Sequence, residues 1–384
     1  MISFARLAWL QLRREKVRLA IAFAGVAFAV LLMLMQIGFQ DALFRSAGNL
    51  HRHLDAEVFL VGANYNVLCF PTTFSRRRLY QALGFPGVRS VSPVYTMLAR
   101  WKNPFDGRTR DIFFLGIDPA DHALDIPEVD AQRALLHEPD VALFDEWSRP
   151  EFGPIADTVR TSGTVTTELS GRQITVRGLF PLGTSFGVNG TVLTSDLNFR
   201  RIFPGRPAGA IGIGLVQLLP GAVPEEVRDR LVSALPRDVL VLTKREFIAR
   251  EVAYWARSTP IGFVFTFGVI MGLVVGVIIV YQILFADISD HLSEYATLKA
   301  MGYTNRYLAG VVVMEATILA ALGFVPGVGI ALWLYDLTAE ATRLPMRLEP
   351  ARGLLVLGFT LLMCWLSGLL AIRKLRTADP ADVF

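Results

Sequence analysis

An α-helical integral membrane protein with four transmembrane helices, and a large mixed α/β extracytoplasmic domain between the first and second spans, is the fold class this sequence predicts. Three observations carry it. The 384 residues are 53% hydrophobic and 19% charged, with mean hydropathy +0.44, far above ordinary soluble composition. Four apolar runs each supply the roughly 20 residues that about 30 Å of hydrocarbon requires. Between the first and second runs lies one polar stretch, residues 44–258, long enough for one or two domains.

Each element follows in order. Residues 1–18 mix Phe4, Leu7, Trp9 and Leu10 with Arg6, Arg13 and Arg14, the pattern of a helix lying on a membrane surface. The first span, 19–43, carries no charge from Leu19 to Gln40, and "QIGFQDALF" offers no small-x-small cleavage site, so it reads as a retained anchor. Arg13, Arg14, Lys16 and Arg18 precede it, and Arg373, Lys374 and Arg376 follow the last span. This bias puts both ends in the cytoplasm, and residues 44–258 outside it.

In that domain "VYTMLARW" and "TRDIFFLGI" flank "NPFDG", and "TVTTEL" and "QITVRGLF" flank "SGR", two hairpin signatures. "RRLYQALGFPGVRSV" and "DRLVSALPRDVLVL" each read helix, Pro break, β-branched strand, which suggests a split βαβ module built from both ends of the region.

The second span covers 259–286, the third 307–335 and the fourth 353–372, with a cytoplasmic coupling loop at 287–306, a short outer loop at 336–352 and a cytoplasmic tail at 373–384. In the loop, Asp287, Asp290 and Glu294 outnumber Lys299 and Arg306, against the positive-inside bias; something other than lipid touches it. Gly268, Gly272 and Gly276 make two overlapping G-x-x-x-G steps, a helix-packing face. Glu315 is the one charge in the third span and must face protein or water. Two readings stay open for it: a packing carboxylate bonded to a neighbouring helix, or a moving part. Gly323, Pro326, Gly327 and Gly329 predict a kink there.

Catalytic chemistry has little support. No G-x-x-x-x-G-K-[ST] occurs, so the chain has no P-loop, and "GIG" at 212–214 and "PGVG" at 326–329 lack the rest of a nucleotide fingerprint. His51, His53, Asp55 and Glu57 read as a solvated stalk in preference to a metal site. Cys69 lies outside and Cys364 within the last span, so no disulfide joins them. The reading is of a non-enzyme without catalytic, metal or cofactor residues and without a nucleic-acid partner.

The loop "SEYATLKAMGYTNRYL" resembles that of MacB/FtsX-type (type VII) ABC transporter permeases, at Glu294, Leu298, Lys299, Met301 and Gly302 and at the following Glu315-Ala316. "RKLRTADPADVF" is similar to the family's closing tail at Arg376, Asp379, Pro380 and Val383, and "LAWLQL" with "MQIGFQDAL" resembles the DevC-like subgroup. The resemblance covers both ends and all four spans; the middle agrees only in size and α/β character.

It implies a permease homodimer on a dimer of separate ABC ATPase chains, which carry the ATP and Mg. ATP hydrolysis there moves the outer domain, a mode called mechanotransmission. It further implies a multi-pass protein of the bacterial inner membrane, exporting an amphiphilic or lipid-like cargo such as glycolipid in a tripartite efflux system. Its partners would be a periplasmic membrane-fusion adaptor, an outer-membrane TolC-like duct and membrane lipid. The alternatives are an FtsX-like regulator of an extracytoplasmic cell-wall hydrolase and LolCDE-like lipoprotein or lipid extraction. The residues expected to couple to the ATPase are Glu294, Tyr295, Leu298, Lys299, Met301 and Gly302, with Tyr295, Leu298 and Met301 on one face for a partner's groove.

Overall fold

The computed structural model describes residues 16–207, 209–342, 344 and 346–377. All but the last residues of the expected interfacial helix, and the tail motif at Asp379, Pro380 and Val383, lie outside the described residues. The first described element is α1 (Lys16–Ala47).

Leu43 to Thr259 belong to one compact unit. Its elements are α2 (Asn49–His53), β1 (Val58–Gly62), β2 (Phe74–Ser75), α3 (Arg76–Leu83), β3 (Val88–Lys102), β4 (Thr109–Ile117), α4 (Pro127–Ala131), β5 (Val141–Asp145), α5 (Ile155–Ser162), β6 (Val165–Leu169), β7 (Arg172–Phe180), β8 (Thr191–Ser195), α6 (Asp196–Ile202), β9 (Ala210–Ile211), β10 (Ile213–Leu218), α7 (Pro224–Ala234), β11 (Val239–Thr243) and α8 (Lys244–Arg257).

Nine strands form one sheet in the order β11-β1-β10-β3-β4-β8-β5-β7-β6. In its first four strands β1 and β3 are both antiparallel to β10, and β10 and β11 are both antiparallel to β1. Two βαβ units, through α3 and α7, therefore interlock, which is the split βαβ module expected from the two ends of the region.

The long β3 then continues into a second substructure. Its end pairs with β4, and Trp101 and Lys102 also pair with Leu169 and Glu168 of β6. The ring β3-β4-β8-β5-β7-β6 thus closes into a six-stranded barrel, which removes the sheet edge that β6 would otherwise present. Both expected hairpins are present, β3–β4 and β6–β7. Ser170 and Gly171 turn the second with φ of 49° and 85°, the two positive values a two-residue type I′ turn needs.

Alternation along β1 divides the core in two. Val58 and Leu60 join Phe74, Leu79, Tyr95 and Trp101 on one face; Phe59 and Val61 join Tyr65, Val94, Phe113 and Phe247 on the other.

The second unit contains the part of α1 up to Ala42 and the helices α9 (Ile261–Asp290), α10 (Leu292–Ala300), α11 (Asn305–Thr342) and α12 (Pro350–Thr377). Among the described residues, four helices are long and apolar enough to cross a membrane: Leu19–Ala47 of α1, α9, α11, and Pro350–Ile372 of α12. At 38 residues and about 1.5 Å per residue, α11 is about 57 Å long, well beyond the hydrocarbon thickness. It runs on through residues 336–342, where an outer loop was expected, because no Gly or Pro interrupts that stretch. It also runs unbroken through Pro326. Two of the glycines around that proline seat a neighbour: a Cβ at Gly323 would lie 2.5 Å from Val26 Cβ, and one at Gly327 2.8 Å from Val30 Cβ.

Candidate functional site

Three polar features stand out, two in the helical unit and one in the α/β unit. The first is α10, which follows α9 after the single residue His291. His291 is buried, with Nδ1 3.0 Å from the Asp287 carbonyl and 3.6 Å from its carboxylate. At the other end of α10, Gly302 N–H donates to the Lys299 carbonyl at 2.9 Å and Tyr303 N–H to the Leu298 carbonyl at 3.1 Å. These two bonds make a Schellman stop, and Gly302 takes φ 92° with open space around it.

The orientation of α10 corrects the expected docking face. Tyr295 is 1% exposed and Leu298 packs against the same buried cluster as Leu284, Ile288 and Val312. Both face this chain's own bundle. The outward stripe is Ser293, Glu294, Thr297, Ala300 and Met301, with Met301 63% exposed, while Lys299 is half-buried. Of the expected apolar trio only Met301 is presented outward, because Tyr295 and Leu298 complete the packing between α9 and α11.

The second feature is Glu315. It is 0% exposed, and among the described residues neither carboxyl oxygen has a hydrogen-bond partner; Asp287 of α9 is the acidic neighbour that acts on it. The bond to a neighbouring helix that one of the two readings calls for is therefore not made among the described residues, and an unsatisfied buried carboxyl is costly.

The glycine face of α9 is likewise accounted for within one chain. A Cβ at Gly268 would meet Gln36, at Gly272 Met33 and Leu32, and at Gly276 Ala29 and the Met363 sulfur. These glycines seat α1 and α12, so they are helix-packing residues whose face is already filled. The opposite stripe of α9, Phe263, Phe267, Ile270, Val274 and Ile278, is exposed.

The third feature escaped the sequence reading. Glu251 of α8 is 2% exposed. It accepts from Tyr65 Oη at 2.9 Å, from Leu68 N–H at 3.0 Å and from Trp255 Nε1 at 3.4 Å. His51 of α2, 0% exposed, places Nε2 3.3 Å from Tyr65 Oη and 3.6 Å from the Glu251 carboxylate, with the Phe247 ring 4.3 Å from its own. Burial, only partly offset by these hydrogen bonds, pushes the Glu251 carboxyl up to about 7. Burial, and then the charge of Arg52, pulls His51 down to about 3. Burial, and then Glu251, pushes the Cys69 thiol up to about 11.

The cluster therefore ties α2, which begins two residues past the end of α1 in sequence, to α8, which precedes α9. Phe247, Glu251 and Trp255 lie four apart on one helix face; an acid inside an apolar i, i+4, i+8 stripe was the available signal. The solvated stalk expected from His51, His53, Asp55 and Glu57 is not what forms. His51 enters the core, His53 Nδ1 lies 3.0 Å from the Asn49 carbonyl, Asp55 accepts from Gln217, and Glu57 accepts from Leu218 N–H.

The chain is similar to several known proteins. Residues 266–380 match the FtsX-like permease C-terminal family. Uncharacterised ABC transporter permeases of Mycobacterium bovis and Mycobacterium tuberculosis are 23% identical over 386 residues, covering 99% of this chain and 99% of theirs. Among solved structures, the periplasmic region of MacB from Actinobacillus actinomycetemcomitans is similar with TM-score 0.35 at 12% identity, over 53% of this chain and 95% of that one. The extracellular domain of the ABC-type transporter YknZ from Gram-positive bacteria has TM-score 0.31 at 13% identity, over 49% and 99%.

Proposed function

We propose, from the premise that this chain is an ABC transporter permease of the FtsX type, with an extracytoplasmic domain and an ATPase partner, that α10 is the seat of that ATPase and that force passes from it to the outer domain. The observation that carries the proposal is the outward stripe of α10. A short helix between two spans is held to its own bundle by Tyr295 and Leu298 and stopped by Gly302, yet presents Glu294, Thr297 and Met301 to a partner. A helix fixed on one side and offered on the other transmits displacement instead of absorbing it. Without a P-loop in the sequence, the energy comes from the partner's ATP and Mg.

On this reading the protein sits in the bacterial inner membrane with residues 44–258 in the periplasm. Two copies meet through the exposed apolar stripe of α9, the span with the smallest buried share of its apolar window, 17% against 39–44% for the others. The outer domain expels an amphiphilic, lipid-like cargo such as glycolipid toward a periplasmic adaptor and an outer-membrane duct.

The test is reconstitution of the full chain with its partner ABC ATPase. Thr297→Asp with Met301→Asp puts two charges on the outward stripe without touching the bundle. ATP hydrolysis is expected to lose its dependence on the permease, or the ATPase to be lost on purification. Retained complex and retained stimulation contradict the proposal. Leu298 is unsuitable for this test, because a charge there disrupts the bundle itself.

A further inference from the structure

The barrel carries a cleft that the transport reading does not use. It has a volume of about 640 Å³ and is lined by Arg100 of β3, Thr109, Arg110 and Asp111 of β4, the loop residues Arg149, Glu151 and Phe152, and Asn189. This size lies within the range of about 300–1,000 Å³ usual for ligand sites.

One wall is a loop held by three hydrogen bonds. Trp101 Nε1 donates to the Phe152 carbonyl at 3.2 Å, Asn103 Nδ2 to the Glu151 carbonyl at 3.3 Å, and Arg149 N–H to the Asn189 carbonyl at 2.9 Å. The loop is thereby fastened to β3 on one side and to the approach to β8 on the other.

Many arginines of the domain lie in ion pairs: Arg78, Arg108, Arg133, Arg160, Arg172, Arg177, Arg200, Arg201, Arg228, Arg230 and Arg245. Arg100, Arg110 and Arg149 lie in none among the described residues, although Asp111 stands opposite Arg100 across the β3–β4 ladder and Glu151 lines the same cleft. The Arg149 Nε–H is buried without an acceptor, which is costly unless something else supplies one. Three guanidiniums against two carboxylates leave one net positive charge, with Thr109 and Asn189 as further hydrogen-bonding groups.

We propose that this cleft binds the phosphate end of a small ligand or lipid head group. The planar fork of arginine matches phosphate oxygens in pairs, and three forks on a fixed frame suit a dianion better than a single carboxylate. The assignment goes beyond the transport reading and stands or falls without it, since binding is measured with no ATPase present.

The experiment uses the purified full chain in neutral detergent and two probes, glycerol phosphate and a short-chain phosphatidic acid, titrated calorimetrically. Saturable binding is expected to at least one. Binding of the soluble monoester shows that the phosphate suffices; binding of the phosphatidic acid alone assigns the lipid head group. Both outcomes support the cleft if Arg100→Gln with Arg110→Gln weakens binding by about tenfold or more, as loss of charged hydrogen bonds requires. Arg149→Lys, which keeps the charge but loses the fork, is expected to weaken it too. Arg245→Gln, outside the cleft, is expected to leave it unchanged, and an unaltered melting profile shows that the variants fold. Binding that is equal in wild type and cleft variants, or no saturable binding of either probe, overturns the proposal.

Discussion

Replacing Glu251 with glutamine changes how stability depends on pH, and the geometry around Glu251 gives sign and size. The carboxyl rises from 4.5 to about 7 on folding. An acid whose folded value is raised contributes stability below its unfolded value, and that contribution is lost as pH rises through the folded one. At about 1.4 kcal/mol per pH unit the loss amounts to about 3 kcal/mol. His51 acts in the opposite sense. Its value falls from 6.5 to about 3, so its contribution is complete above 6.5 and is lost as pH falls toward 3.

Between 4.5 and 6.5 the two slopes oppose each other, and the wild-type curve is expected to be nearly flat there. In Glu251→Gln the side-chain amide keeps an acceptor for Tyr65 and Leu68 but does not titrate. The variant should match wild type near pH 4.5, gain on it as pH rises, and be more stable by about 3 kcal/mol above pH 7.5. For a domain of this size that corresponds to about 6–12 °C in melting temperature. Thermal unfolding of the full chain, followed by tryptophan fluorescence across this pH range with Trp255 as an internal reporter, measures it. A variant whose curve stays parallel to wild type at every pH refutes the cluster's role.

Three further outcomes are expected. Gly276→Leu should lower thermal stability by about 1–3 kcal/mol through overpacking against Ala29 and Met363 while leaving the oligomer intact; dissociation on size-exclusion chromatography without loss of stability would place the glycines between copies instead. Glu315→Leu should raise the melting temperature, since it removes a buried unsatisfied carboxyl worth about 1–3 kcal/mol, and should lower permease-dependent ATP hydrolysis; lower stability with full activity would make Glu315 a packing residue. Gly302→Ala should cost about 1–2 kcal/mol, the penalty for a side chain in the left-handed region, with permease-dependent ATP hydrolysis reduced and restored by Gly302→Asn relative to Ala; equal activity in all three would remove the helix stop from coupling.

What was legible in the sequence was local. Unbroken apolar runs mark the helices that can cross a membrane, Ser170-Gly171 marks a turn, and Gly302 marks a helix end because its neighbours in sequence decide its conformation. The split βαβ module was readable from two helix–Pro–strand echoes, since each unit is a contiguous stretch.

What was not legible depends on distant residues meeting. Closure of the barrel rests on Trp101 and Lys102 pairing with Leu169 and Glu168 of β6, far along the chain. The Glu251 cluster gathers side chains from positions 51, 65 and 251, and as isolated letters those near 51 looked like a polar stalk. The sidedness of α10 depends on distant residues in the same way. Spacing puts Leu298 and Met301 near one another, but only packing decides that Leu298 belongs to the bundle and Met301 to the outside. The G-x-x-x-G steps of α9 suggest a contact between two copies of the chain, but spacing alone does not say that α1 and α12 of the same chain pack against those glycines.

Site-directed photocrosslinking tests the central claim most directly. A photoreactive residue is placed at Met301, on the outward stripe of α10, and for comparison at Asp106, exposed in the β3–β4 turn of the outer domain. In intact cells the account predicts that the ATPase chain is captured from position 301, that capture changes when ATP hydrolysis is blocked, and that none is captured from position 106. Capture of the ATPase from 106, or a normally assembled complex with no ATPase bound at 301, would contradict it.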